Sequence, residues 1–202
     1  MQNVGYGNVN LSGNEVTLPA GMELDLGAVG KGYAADEVAN ILKEAGVRSA
    51  LLDLGGNIQL IGTKPDGEDW KIGLRDLFEE IYMGVLSIND RAIVTSGNYE
   101  RYFIGEDGKH YGHILDPSTG YPAENGLVSV TIVAKEGKLC DALSTSLFVM
   151  GQDGAVNYWR ENPGFDMILL TEDRKIYLTE GLTDKFELGS DYGDMKIEMI
   201  EK

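Results

Sequence analysis

His113 opens the stretch His113-Ile114-Leu115-Asp116-Pro117-Ser118-Thr119-Gly120-Tyr121-Pro122 and is one of only 2 histidines in the chain. An unperturbed imidazole has a pKa of about 6.5, so it can take and return a proton near neutral pH. Asp116 can bond its own backbone and Pro117 presets φ, so the stretch reads as a fixed turn beside a titratable ring. A general base needs that arrangement. The plain alternative is a surface turn with an ordinary histidine.

Asp141 and Thr145 are the second candidate pair. They lie four apart in a stretch of helical length, so they stack on one helix face. A carboxylate and a hydroxyl stacked in this way can offer two oxygens to one hard cation. Mg²⁺ usually takes only one or two protein ligands and draws the rest from phosphate and water. Against this, an Asp near a helix start is commonly a cap or a dipole partner.

Lys31 sits in Gly27-Ala28-Val29-Gly30-Lys31-Gly32, between a strand-like run and a helical pattern. Strand, glycine turn, helix is a layout that aims backbone N–H groups at an anion, and Lys31 adds a full positive charge. The spacing matches neither a P-loop nor a dinucleotide fingerprint. Such turns are often mere connections. Gly55-Gly56 permits positive φ or close approach of a ligand to the backbone, and a β-bulge is the structural alternative.

The elements that must hold these groups follow from the hydrophobic pattern. Residues 9–11 and 16–18 flank Gly13-Asn14, a hairpin signal, and residues 22–26 alternate as a third strand. Tyr33, Val38, Ile41, Leu42 and Ala45 recur at helical spacing, and Gly46 stops the run. Residues 50–52 predict a strand buried on both faces, followed after Gly55-Gly56-Asn57 by another. Residues 70–74 and 84–88 predict paired strands across a short, partly acidic linker. Residues 92–95 predict a strand that ends at Ser96-Gly97-Asn98-Tyr99. A hairpin is expected over 100–104 and 109–115, and the run 127–133 is the strongest strand pattern in the chain.

Residues 139–150 predict a helix with Leu139, Leu143, Leu147 and Met150 toward the core and Gly151 at its end. A shorter helix over 155–161 and strands near 167–170 and 176–179 follow, while 181–202 is weakly patterned. There is no internal repeat or low-complexity tract. The expectation is one α/β (α+β) domain over residues 1–202, a mixed and largely antiparallel sheet with helices packed on it.

An apolar fraction of 43% and a charged fraction of 25% suit a globular protein with a real core. A net charge of −16 argues against nucleic acid and makes an anionic ligand awkward unless a cation offsets the field. No apolar run is long enough to span a membrane as a helix, and no signal-peptide pattern opens the chain. Cys140 is alone, which excludes an internal disulfide.

Four blocks in order resemble those of the ApbE family, the FAD:protein FMN transferases, once labelled thiamine biosynthesis lipoproteins; no residue here supports a role in thiamine synthesis. Asp25-Leu26-Gly27-Ala28-Val29-Gly30-Lys31-Gly32-Tyr33-Ala34-Ala35-Asp36 is similar to the family's lysine-glycine block. Leu52-Asp53-Leu54-Gly55-Gly56-Asn57 is similar to its double-glycine strand end, and Thr95-Ser96-Gly97-Asn98-Tyr99-Glu100-Arg101-Tyr102-Phe103 to its serine-glycine-tyrosine block. His113 to Pro122, with Cys140-Asp141-Ala142-Leu143-Ser144-Thr145, resembles its histidine turn and metal helix. Gly30 stands where the family more often has Ala, and Asn98 where it often has Asp.

The resemblance implies a Mg²⁺-dependent flavin transferase. A threonine or serine hydroxyl of an acceptor protein would attack the FMN-side phosphate of FAD, and AMP would leave. His113 would be the catalytic base. Asp141 and Thr145 would hold Mg²⁺, with a backbone carbonyl near Ala28 as a third ligand. Lys31, Asp36, Gly55, Gly56, Ser96 and Gly97 would line the nucleotide site, along with Ala28 and His113. The resemblance covers the family's C-terminal two-thirds, so an N-terminal segment is expected in the parent. That parent is expected to be a membrane-associated, extracytoplasmic lipoprotein of the cell envelope, with a cytoplasmic protein as the alternative. Two rival activities stay open: a Mg²⁺-dependent FAD pyrophosphatase giving FMN and AMP, and a flavin-binding module without turnover.

Overall fold

The computed structural model describes residues 3–75, 82–98, 102–193 and 195–202. Among these, the strands are β1 (Asn10–Ser12), β2 (Glu15–Thr17), β3 (Ala50–Asp53), β4 (Asn57–Ile61), β5 (Trp70–Arg75), β6 (Tyr82–Ile88) and β7 (Ala92–Gly97). They continue with β8 (Tyr102–Ile104), β9 (His110–Gly112), β10 (Leu127–Ala134), β11 (Phe165–Thr171), β12 (Lys175–Thr179), β13 (Phe186–Leu188) and β14 (Lys196–Ile200). The helices are α1 (Gly30–Glu44) and α2 (Gly137–Glu161).

The run at 127–134 is mostly apolar, and its polar members Ser129 and Thr131 are buried too, because both of its faces are covered. It is a central strand of a 7-stranded sheet in the order β14-β12-β11-β10-β7-β4-β3, antiparallel throughout except where β12 pairs β14. Val130 and Ile132 face α2 with Val94, Met167, Leu147 and Phe148. Val133, Ile93, Ile168 and Leu170 face the other way, onto a 3-stranded sheet in the order β13-β6-β5. The fold is therefore helices on one face of a mixed, mostly antiparallel sheet and a second sheet on the other. No helix among the described residues is long and apolar enough to cross a membrane.

Several expectations change. Residues 22–26 do not form a strand: Asp25 Oδ1 accepts the Gly27 N–H at 2.6 Å and turns the chain into α1. β3 is not buried on both faces; it is the sheet's edge, with Leu51 exposed. On α1 the buried residues are Gly32, Ala35 and Ala39, while Tyr33, Val38 and Ile41 are exposed. Gly46 does end that helix, at φ 88°: its N–H reaches Lys43 O, and the Val47 N–H reaches Leu42 O, a Schellman closure.

On α2 the buried stripe is Cys140, Leu143, Leu147 and Phe148, with Leu139 and Met150 largely exposed. Gly151, at φ 73° and ψ 176°, breaks the helix as the sequence suggests, and the axis resumes beyond it. The β8–β9 hairpin is shorter than predicted. The acidic linker at 76–81 and residues 99–101 lie outside the described residues. β13 and β14 were not legible in the weak C-terminal pattern, since one has only 3 residues and the other is exposed at all but its last position.

Candidate active site

Two glycines let the helices that frame the site touch backbone to backbone. A Cβ on Gly32 would lie 2.2 Å from the Gly137 carbonyl oxygen and 2.7 Å from Asp141 Cβ. One on Gly137 would lie 2.8 Å from Gly32 O. At this crossing the first turn of α1 meets the first turns of α2. The Gly32 N–H donates to Asp141 Oδ2 at 2.9 Å, which satisfies one of the N–H groups that every helix start leaves over. Asp36, one turn on, accepts the Gly137 and Lys138 N–H groups at 2.6 and 3.0 Å and caps α2 from outside.

Asp141 is 4% exposed. Its Oδ2 accepts the Gly32 N–H, and no ion pair among the described residues includes it. A buried carboxylate held by a single neutral donor calls for a positive partner. Thr145 stands on the next turn, half-buried, with its Oγ1 3.1 Å from Ser96 Oγ at the end of β7. A carboxylate, a hydroxyl and the carbonyl-rich turn at Ala28 form a hard oxygen set, which suits Mg²⁺. Among the described residues no group of three His, Cys, Asp or Glu side chains comes together as a metal site.

His113 follows β9 and is exposed, but its backbone is held on both sides. Asn98 Oδ1 accepts the Ile114 N–H at 3.3 Å, and Asn98 Nδ2 donates to Ala123 O at 3.1 Å. Gly112 lies so close under Asn98 that a Cβ there would be 2.1 Å from the Asn98 side chain. Beyond Ile114, Asp116 Oδ1 accepts the Ser118 N–H at 2.7 Å, and the Gly120 N–H reaches Asp116 O at 2.8 Å. The Ser118 hydroxyl and N–H hold the Asp116 carboxyl below the usual carboxylate range. The histidine turn is therefore closed by its own side chains, as Asp116 and Pro117 suggested.

These elements meet around one cavity of about 570 Å³. Of the residues singled out from sequence, Ala28, Lys31, Gly55, Ser96, Gly97, His113, Asp141 and Thr145 all line it. Gly56 lies instead in an adjoining cavity of about 480 Å³ between the two sheets, which shares Lys31, Gly55 and Thr95 with the first. Gly55 and Gly56, at φ 63° and 88°, form the left-handed turn between β3 and β4 rather than a bulge. Asp36 stands apart from the other residues singled out. It lines neither cavity, because both its oxygens are spent on the start of α2.

Sequence reasoning missed Asn98 as the clamp of the histidine turn and Ser144 as the neighbour of Ser96. It also missed Asp25 and Thr95 as lining residues. Only the position of Asn98, beside Ser96-Gly97, hinted at its part. The arrangement can hold a cation at Asp141 and Thr145 and an anion at Lys31, and it can move a proton at His113.

A sequence model of the ApbE family matches residues 1–169. The chain is 43% identical over 161 residues to a FAD:protein FMN transferase of Klebsiella pneumoniae (79% of this chain, 49% of that protein). It is 39% identical over 176 residues to one of Treponema pallidum (82% of this chain, 48% of that protein). Among solved structures, the ApbE protein of Thermotoga maritima superposes with a TM-score of 0.77 at 34% identity, covering 97% of this chain and 61% of that one. The flavin transferase ApbE of Vibrio cholerae gives a TM-score of 0.75 at 28% identity, covering 96% and 60%. The chain thus spans about half the length of the curated relatives it matches.

Proposed function

This chain belongs to the ApbE family, and from that premise we propose that it serves a Mg²⁺-dependent transfer of FMN from FAD to a threonine or serine hydroxyl of an acceptor protein. The observation that carries the reading is the single cavity lined by His113, Lys31, Asp141 and Thr145.

Asp141, Thr145 and the Ala28 carbonyl would hold Mg²⁺. When bound, the ion neutralises charge on the diphosphate and on the phosphoryl group in transit. It also answers the net charge of −16, which would otherwise repel a dinucleotide. Lys31, facing both cavities, supplies a fixed positive charge to the diphosphate. The nucleotide would extend past Gly55 into the space between the sheets.

His113 takes the proton of the acceptor hydroxyl. The hydroxyl oxygen bonds to the FMN-side phosphorus, and the bond from that phosphorus to the bridging oxygen breaks. AMP departs with the bridging oxygen. Positioned proton transfer of this kind is worth about 10²–10⁴-fold.

The test is to incubate the protein with FAD, Mg²⁺ and a candidate acceptor, and to weigh the acceptor by mass spectrometry. An FMN phosphoester on a hydroxyl residue, with one AMP released for each, is the expected result. Release of FMN and AMP with the acceptor unmodified would assign the cleavage to water instead. Bound FAD that stays intact would leave a binding module.

A further inference from the structure

Three hydroxyls run from the end of β7 to the third turn of α2, and each has one proton to give. Ser144 Oγ lies 3.0 Å from Asp141 O, which can only accept, so Ser144 is the donor there. Ser96 Oγ lies 2.8 Å from Ser144 Oγ. With the Ser144 proton already committed, Ser96 must donate to Ser144. Ser96 Oγ is also 3.1 Å from Thr145 Oγ1. With the Ser96 proton committed in turn, Thr145 must donate to Ser96. The chain therefore has one direction: Thr145 to Ser96, Ser96 to Ser144, and Ser144 to the backbone of Asp141.

The consequence falls on Thr145. Its proton is committed to Ser96, so toward any other group in the cavity the oxygen offers only lone pairs. A cation needs such lone pairs. A hydroxyl free to rotate would spend part of its time presenting its proton there. We infer that Ser96 and Ser144 are positioning residues, whose hydroxyls fix Thr145 Oγ1 as an acceptor toward a divalent cation. This rests on the reading of Asp141 and Thr145 as cation ligands. It gives Ser96 a part other than contact with the nucleotide, since its proton is used inside the protein. Ser144 is fully buried and has no route to a ligand of its own.

Outer partners of metal ligands are worth about 10–100-fold in metal affinity when removed. Mn²⁺ stands in for Mg²⁺ because its bound and free forms are separated by electron paramagnetic resonance. The full chain and four variants (Ser96→Ala, Ser96→Thr, Thr145→Val and Ser96→Ala with Thr145→Val) are titrated with Mn²⁺ in the presence of FAD. Circular dichroism checks that each is folded.

Three results are expected together. Ser96→Ala weakens Mn²⁺ binding by roughly 10–100-fold. Ser96→Thr, which keeps a hydroxyl, restores it. Ser96→Ala adds nothing in the Thr145→Val background, because the oxygen that it orients is gone. A merely structural Ser96 would weaken binding equally in both backgrounds. Wild-type affinity in Ser96→Ala, beside a clear loss in Thr145→Val, overturns the inference and leaves the cation site standing. Unweakened binding in Thr145→Val, or no Mn²⁺ binding by the unmodified chain, overturns the inference and the cation site together.

Discussion

The Gly32 N–H donates to Asp141 Oδ2 across 109 positions of sequence, and this bond joins the lysine-glycine turn to the helix that carries the candidate cation ligands. One carboxylate oxygen of Asp141, which lines the cavity, is thereby fixed to the backbone of Gly32. The Asp141→Asn variant keeps an oxygen for Gly32 but presents an amide in place of the second carboxylate oxygen. It should fold normally and lose Mg²⁺-dependent turnover by at least about 100-fold, the scale of a lost electrostatic stabiliser. FAD turnover assays at increasing Mg²⁺ check this.

The same bond requires glycine at position 32. In Gly32→Ala the new Cβ meets the Gly137 carbonyl at 2.2 Å, a backbone atom that cannot swing aside. Overpacking of this kind costs about 1–3 kcal/mol. Urea unfolding should report a loss on that scale, with weakened metal binding. Unchanged stability would contradict the close helix crossing.

His113 is exposed, and the turn below it is closed by Asn98 and Asp116. His113→Ala should therefore leave stability and FAD affinity nearly unchanged while lowering transfer by roughly 10²–10⁴-fold. Isothermal titration with FAD, beside the transfer assay, separates the two effects. Loss of FAD binding with unchanged turnover at saturation would assign the ring to binding.

Lys31 borders both cavities, so Lys31→Met should weaken FAD. Hydrogen bonds to charged groups are worth about 1.5–3 kcal/mol, which corresponds to a rise in Kd of roughly 10–100-fold. Flavin fluorescence titration reads it.

The Asp116 carboxyl is held low by the Ser118 hydroxyl and N–H. A group whose pKa falls on folding lends its stability above its unfolded pKa and loses it as pH drops through the folded one. The Ser118 amide should therefore shift in NMR only below the ordinary aspartate range, with the turn intact at neutral pH. A midpoint in the ordinary range would mean that the turn is not closed by Asp116.

How much of this was legible from residues alone differed by element. Central strands such as β10 announced themselves, because burial on both faces favours a run rich in Val, Ile and Leu, broken in β10 only by Ser129 and Thr131. Gly46 and Gly151 marked helix ends because both stand at positive φ. The face of α1 was misread: Ala35, Ala39 and Gly32 are buried because the helices approach closely, and small residues carry little hydrophobic signal. The candidate site was legible as separate blocks, each set by local turn chemistry. Its assembly was not. Gly32 with Asp141, Ser96 with Thr145, and Asn98 with Ala123 are pairs that only the folded sheet brings together. Asp36, named only through the family resemblance, gives both oxygens to the start of α2, a partnership that its local sequence does not announce.

The central claim is that one cavity holds the diphosphate between a cation and an imidazole. A crystal structure of the protein with FAD and Mg²⁺ tests it most directly. The account predicts the ion on Asp141 and Thr145, the diphosphate bridging it to Lys31, and the His113 ring facing the FMN-side phosphorus. A diphosphate outside this cavity, or an ion held by other side chains, would contradict it.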